Sequence, residues 1–314
     1  MTAPLFALIG LGYALARSGR WPTAVNDALS RFVFTIAIPA LLFRLMSGFA
    51  SLPPVDPRVL ASYFGGCLVV FGLGRAVSRA VFRHDGVAQS VFGLGGVFSN
   101  TVLLGVPLVQ STLGDPAMPA VSLIVVFNAV TLWMLVSVSV EWARHRTLTA
   151  GRFAATTKSV LVNPIVASIL AGAAYSAFGL PLPPIVDRPL ALLAQAAVPL
   201  SLVALGLGLG EHPIGANWRT SAAITAIKLV AQPAAVYALA RFAGLDTPMT
   251  AVVVVMAALP VGANVYLMAR QFQVLESAVA ASLVLSTALA ALTTPVVLAL
   301  VGPATTPVVV ISRP

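Results

Sequence analysis

The chain has 314 residues and a net charge of +9; it is 59% hydrophobic and only 9% charged, with a mean hydropathy of +0.98. Ordinary soluble domains carry about 25% charged residues, so this composition excludes them and describes an integral membrane protein. The basic excess lies mostly in gaps between apolar runs, where it sets topology rather than nucleic-acid contact. The single cysteine, Cys67, excludes an intrachain disulfide and argues against a Cys-based metal site.

A spanning helix takes about 20 mainly apolar residues. In chain order the apolar runs give ten candidate spans, at 2–16, 32–50, 59–82, 87–113, 117–140, 159–178, 189–210, 218–243, 248–270 and 275–301. The first run reads as a helix rather than a signal peptide, because no basic stretch precedes it and no convincing cleavage site follows. Odd-numbered connections hold twelve basic residues: Arg17, Arg20, Arg31, Arg75, Arg79, Arg83, Arg144, Arg146, Arg152, Lys158, Arg219 and Arg270. Even-numbered connections and the C-terminal tail hold four, Arg58, Arg188, Arg241 and Arg313. The positive-inside rule makes the richer side cytoplasmic and both termini non-cytoplasmic, in a multi-pass protein of the cell membrane.

The longest polar gap, EWARHRTLTAGRFAATTK (141–158), reads as a short cytoplasmic basic loop between a first five-helix unit, 1–140, and a second, 159–314. Five spans per unit give two homologous halves opposite orientations, the inverted-repeat plan of many secondary transporters. Residues 9–48 set against 169–208, an offset of 160, give ten identities without a gap, among them Gly12/Gly172, Gly19/Gly179, Asp27/Asp187 and Pro39/Pro199. Proline removes a backbone donor and clashes with the carbonyl four residues back, so the helices of spans two and seven should kink or open at Pro39 and Pro199.

Spans four and nine carry heavier punctuation. GGVFSNTVLLGVPLVQ (95–110) holds Ser99, Asn100, Thr101, Gly105 and Pro107; AALPVGANVYLMA (257–269) holds Pro260, Gly262 and Asn264. An offset of 164 superposes Asn100 on Asn264. Unpaired backbone in hydrocarbon costs several kcal/mol per group, so two such breaks survive only inside protein or around a cavity. The free amides and positive ends of half-helices suit an anion, and the Asn carboxamides can donate or accept hydrogen bonds. Ser99, Asn100, Thr101, Gly105, Pro107, Pro260, Gly262, Asn264, Pro39 and Pro199 are therefore the candidate substrate-binding residues.

All nine acidic residues lie at or near span ends, and the histidines His84, His145 and His212 lie in loops. Proton coupling through a buried carboxylate is thus disfavoured. Arg44 and Lys228 sit within apolar runs; with no buried acid in the sequence to pair with, they read as anion-attracting charges, with snorkelling to the interface as the alternative. No catalytic motif falls at membrane depth and no cofactor motif is credible. GLGLG (206–210) ends a span with no strand before it and reads as a close helix-packing surface.

The segments LIGLGYALARSG (8–19), FTIAIPALLF (34–43), SNTVLLGVPLVQSTLGD (99–115), LVNPIVASILAG (161–172), AAVPLSLVALGLGL (196–209) and AALPVGANVYLMARQF (257–272) together resemble the auxin efflux carrier family, which in bacteria includes malonate and malate permeases. The resemblance implies ten helices, a scaffold domain, a transport domain and elevator-like alternating access. It also implies a substrate site where spans four and nine cross, with the family's crossover asparagines at Asn100 and Asn264. Plant members have Asn-Pro-Asn in one crossover; here Ser99 precedes Asn100 and the proline comes at Pro107, which points away from auxin. The expectation is an all-α polytopic membrane protein that transports a small organic anion, a carboxylate, without cofactor or nucleic acid, and is compatible with a homodimer. A sodium-coupled symporter resembling bile acid carriers is the alternative.

Overall fold

Prolines and glycines decide where these apolar runs break and where they stay whole. The computed structural model describes residues 3–48, 56–145, 162, 164–211 and 217–301, and these are helical apart from turns and one isolated antiparallel bridge. The helices are α1 (Ala3–Arg17), α2 (Thr23–Phe32), α3 (Ile38–Ser47), α4 (Pro57–Phe82), α5 (Gly86–Val97), α6 (Val106–Thr112), α7 (Met118–His145), α8 (Pro164–Ser176), α9 (Pro184–Glu211), α10 (Trp218–Ala226), α11 (Gln232–Phe242), α12 (Thr247–Ala257), α13 (Ala263–Phe272) and α14 (Glu276–Val301). Among the described residues five continuous stretches are long and apolar enough to cross a membrane: Thr23–Ser47, Pro57–Phe82, Pro184–Gly208, Trp218–Phe242 and Glu276–Val301. The fold is thus that of a polytopic all-helical membrane protein. Of the expected 141–158 loop, α7 takes the first residues to His145, and 146–158 lie outside the described residues.

Three wide, π-helical turns, Val33–Ala37, Thr101–Gly105 and Ile227–Ala231, join α2 to α3, lead into α6 and join α10 to α11. Each stops two residues before a proline, Pro39, Pro107 or Pro233. A proline clashes with the carbonyl four residues back, and widening the turn moves that carbonyl aside while the helix continues. The expected opening therefore occurs at Pro39. At Pro199 no wide turn opens, and α9 runs as one helix from Pro184 to Glu211. There Ser201 Oγ donates to the Ala197 carbonyl (2.5 Å), a side-chain bond inside the turn that Pro199 weakens.

Packing sorts the helices into two sets. α1, α2, α3, α8 and α9 lie chiefly against one another, as do α4, α5, α7 and α10 to α14. In the first set the contact is backbone to backbone. A Cβ on Gly12 of α1 would meet the Val203 carbonyl oxygen of α9 at 2.2 Å, and one on Gly206 would meet the Ile9 carbonyl at 2.1 Å. A Cβ on Gly172 of α8 would meet the Phe43 carbonyl of α3 at 2.7 Å. Gly206 and Gly210, whose Cβ would meet Ala16, make GLGLG the close packing surface expected of it.

In the second set α5 and α12 are the innermost helices. Val91 to Val97 and Thr250 to Ala257 are buried on every side, which is why neither has a polar face. Each starts on an aspartate cap: Asp85 accepts from Ala88 N and Asp246 from Met249 N, both at 2.8 Å. Both helices then stop in the middle of the protein, α5 at Val97 and α12 at Ala257.

Candidate substrate site at the helix crossover

Where α5 and α12 stop, the chain does not turn back but crosses over. Phe98 (φ −80°, ψ 100°) and Gly262 (φ −78°, ψ 144°) are extended, and Ser99 bridges Val261 in antiparallel sense. Gly262 N donates to Phe98 O (2.8 Å) and Asn100 N to Pro260 O (3.0 Å). The two breaks thus satisfy part of each other's backbone, which is what permits non-helical chain at this depth. Asn100 (φ −76°, ψ 65°) makes an inverse γ-turn, with Thr101 N on Ser99 O at 2.8 Å, and its own carbonyl receives Gly105 N (3.1 Å) to start the wide turn. On the other chain Val261 N donates to Ser286 Oγ of α14 (3.1 Å), and Gly262 caps α13.

Two glycines let the crossing close. A Cβ on Gly262 would lie 3.0 Å from Ser99 O and from the Phe98 ring, and one on Gly105 2.7 Å from Leu259 Cδ1. Beside the crossing lies a cavity of about 40 Å³, room for a few water molecules. The crossovers give it Phe98 to Val102 and Gly262 to Asn264; α7 gives Val125 and Asn128; Phe34, Ile38 and Leu42 close it from the first helix set. Its polar lining is neutral: Ser99 and Asn100 are buried, and so are Thr101 and Asn128. Asn264 Oδ1 is buried without a hydrogen-bond partner. Such a carboxamide retains capacity for a ligand and, turned about χ2, presents its NH₂ in place of its oxygen. The N-terminal end of α13 and the start of the Thr101–Thr112 helical run both begin at this cavity, so their dipoles make it favourable to negative charge.

Of the residues singled out from sequence, Ser99, Asn100, Thr101, Gly262 and Asn264 line the cavity. Gly105 and Pro260 belong to the crossing itself, and Pro107 is the second residue of α6. Pro39 lies between the lining residues Ile38 and Leu42 without lining the cavity, and Pro199 is exposed on α9. Neither intramembrane cation lines it. Arg44 has a partner that the sequence did not suggest: its Nε and Nη2 meet the two oxygens of Asp187 on α9 at 2.6 and 3.2 Å. Lys228 is fully buried and donates to the Ala257 carbonyl.

Asn128 is the polar lining residue that sequence reasoning missed. It is a lone carboxamide in an apolar helix, 2% exposed, and its Oδ1 accepts from the Tyr63 hydroxyl of α4 at 3.5 Å. Its isolation was the available signal, because a polar group at mid-span needs a partner or a cavity.

A family model described as "Membrane transport protein" matches residues 1–298. A Rhizobium meliloti protein named "Putative malonate transporter" is 29% identical over 301 residues, covering 93% of this chain and 92% of that one. A Methanothermobacter thermautotrophicus protein named "Uncharacterized transporter" is 23% identical over 252 residues, covering 78% and 80%. Spanning helices, two clasped breaks and a match along nearly the whole length agree: the chain belongs to the membrane transport protein family, that of the auxin efflux carriers.

Proposed function

We propose that this membrane transporter is a secondary carrier of a small organic anion, a carboxylate of the malonate class, which it binds where spans four and nine cross. The observation that carries this reading is the two-bond clasp between Phe98–Asn100 and Pro260–Gly262 beside a cavity with three carboxamides, Asn100, Asn128 and Asn264. Neutral donors and two helix N-termini suit a carboxylate without neutralising it permanently, so it can leave as well as enter. The name of the Rhizobium relative agrees with that substrate class.

The ten-span inverted repeat, with units 1–140 and 159–314 and both termini non-cytoplasmic, belongs to the same proposal. Its support is a set of paired details. The offset of 160 relates Gly12 to Gly172, and it also relates Phe43 to Val203, the carbonyls these glycines touch. Gly19 and Gly179, matched by that offset, take the same left-handed φ of +68° and +66°. The offset of 164 relates Phe98 to Gly262, which are themselves hydrogen-bonded.

Elevator-like access is part of this proposal, and the cavity's position between the two helix sets supports it. In this reading, loading and release go with a parting of α3 from the crossovers. In proteoliposomes, Asn100→Ala and Asn264→Ala should each cut malonate uptake about tenfold or more, the worth of one hydrogen bond to a charged ligand. Wild-type uptake by both variants at wild-type abundance would remove the crossover from the transport site. A homodimer is compatible with this reading, and cross-linking of the reconstituted protein tests it.

A further inference from the structure

Lys228 is 0% exposed and lies within the wide turn Ile227–Ala231. Its ammonium donates to the carbonyl of Ala257 at 2.5 Å. That carbonyl is free because the helix breaks there. In an unbroken helix it would receive the N–H of Val261, but that N–H is turned to Ser286 Oγ at 3.1 Å. Pro260, between them, has no N–H to offer. The break thus leaves this acceptor and this donor loose, and a side chain from a different helix takes each.

Ala257 is also the last residue of α12, where the helix dipole is negative and a cation is favoured. In secondary transporters such freed carbonyls at half-helix C-termini are where sodium or a proton is held. Here the position is filled from within. Among the described residues the ion pairs are Arg44–Asp187 and Arg58–Asp56, so no carboxylate claims the Lys228 charge. The polar neighbours on the same seam are neutral: Gln232, one turn along, donates to Cys67 Sγ of α4 at 3.2 Å.

We infer that the Lys228 ammonium is the resident cation of the second crossover. With Ser286 it holds the backbone open at Ala257 and Val261, keeping Gly262 and Asn264 against the first crossover without a bound sodium ion. This inference rests on the crossover being the transport site.

Two readouts test it. In proteoliposomes, malonate uptake by the wild type should be equal in sodium and in choline. Lys228→Met, which keeps the stem and removes the charge, should lose about tenfold in uptake; Lys228→Ala, which leaves room, should lose as much and regain part of it with methylammonium, and Lys228→Arg should keep part of it. Hydrogen–deuterium exchange needs no substrate: Lys228→Met and Ser286→Ala should speed exchange across 258–265 and leave α5 protected. Sodium-dependent uptake by the wild type, a loss that neither methylammonium nor arginine reverses, or unchanged exchange in both variants would overturn the inference. If Asn264→Ala transports normally while Lys228→Met still loosens 258–265, the site reading fails and the backbone clamp stands.

Discussion

Gly262 has no room for a side chain, although its backbone angles suit any residue: a Cβ there would press on the Ser99 carbonyl at 3.0 Å. Backbone cannot swing aside as a side chain does, so Gly262→Ala should push the two crossovers apart and weaken the bond from Gly262 N to Phe98 O. Losing that bond costs about 1 kcal/mol, or about fivefold in anion affinity, and uptake kinetics of the variant check it. Gly105→Ala should be milder, because its nearest contacts, Leu259 Cδ1 and the Met256 thioether, are side chains that can move. Asn128 makes a separate case. Its oxygen faces the Tyr63 hydroxyl at 3.5 Å, which leaves its NH₂ for the cavity. Asn128→Asp replaces that donor with a carboxylate, and it should abolish malonate uptake where Asn128→Ala only reduces it.

Between helices the same chemistry acts at larger scale, as small residues decide which backbones can touch. Gly206 lets α9 approach Ile9, Gly12 and Tyr13 of α1, whereas Gly10 on the same helix faces open space. Gly206→Val should cost about 3 kcal/mol or more through overpacking against backbone, seen as lost monodisperse protein in detergent, while Gly10→Ala should leave the yield unchanged. The turn between α4 and α5 carries a pH-dependent element. His84 stacks on Phe82 at 5.5 Å between ring centroids, and its Nδ1 lies 3.0 Å from Ser78 Oγ. Burial lowers its pKa against the opposing pull of Asp85. The folded protein therefore binds this proton less readily than the unfolded chain does. Its contribution to stability is full above about pH 6.5, the value of a free histidine, and is lost as pH falls below that. Thermal unfolding of the wild type should weaken from pH 7 to about pH 5, and His84→Gln should remove that part of the slope.

At the scale of the whole chain, the sequence was legible where residues cannot be absorbed by a helix in lipid. Pro, Gly and Asn in the runs at 95–110 and 257–269 announced breaks, and both breaks are there, clasped to each other. The partner of Arg44 was illegible, because Asp187 is 143 residues away and hydropathy does not say which helices touch. So was the partner of Lys228, since a backbone carbonyl has no letter in the sequence. Orientation is the remaining large-scale property that the sequence reaches and geometry alone does not. Cys67 is buried and is the only cysteine, so single cysteines can be added without a reactive background. The proposed topology, read from the uneven basic residues, has the Arg83 and Arg270 turns in the cytoplasm and those at Leu180 and Arg241 outside. All four side chains are exposed. In intact cells a membrane-impermeant maleimide should label Leu180→Cys and Arg241→Cys at once, and Arg83→Cys and Arg270→Cys only after permeabilisation. Labelling of Leu180→Cys and Arg270→Cys from the same side would break the inverted repeat, since an odd number of crossings should separate them.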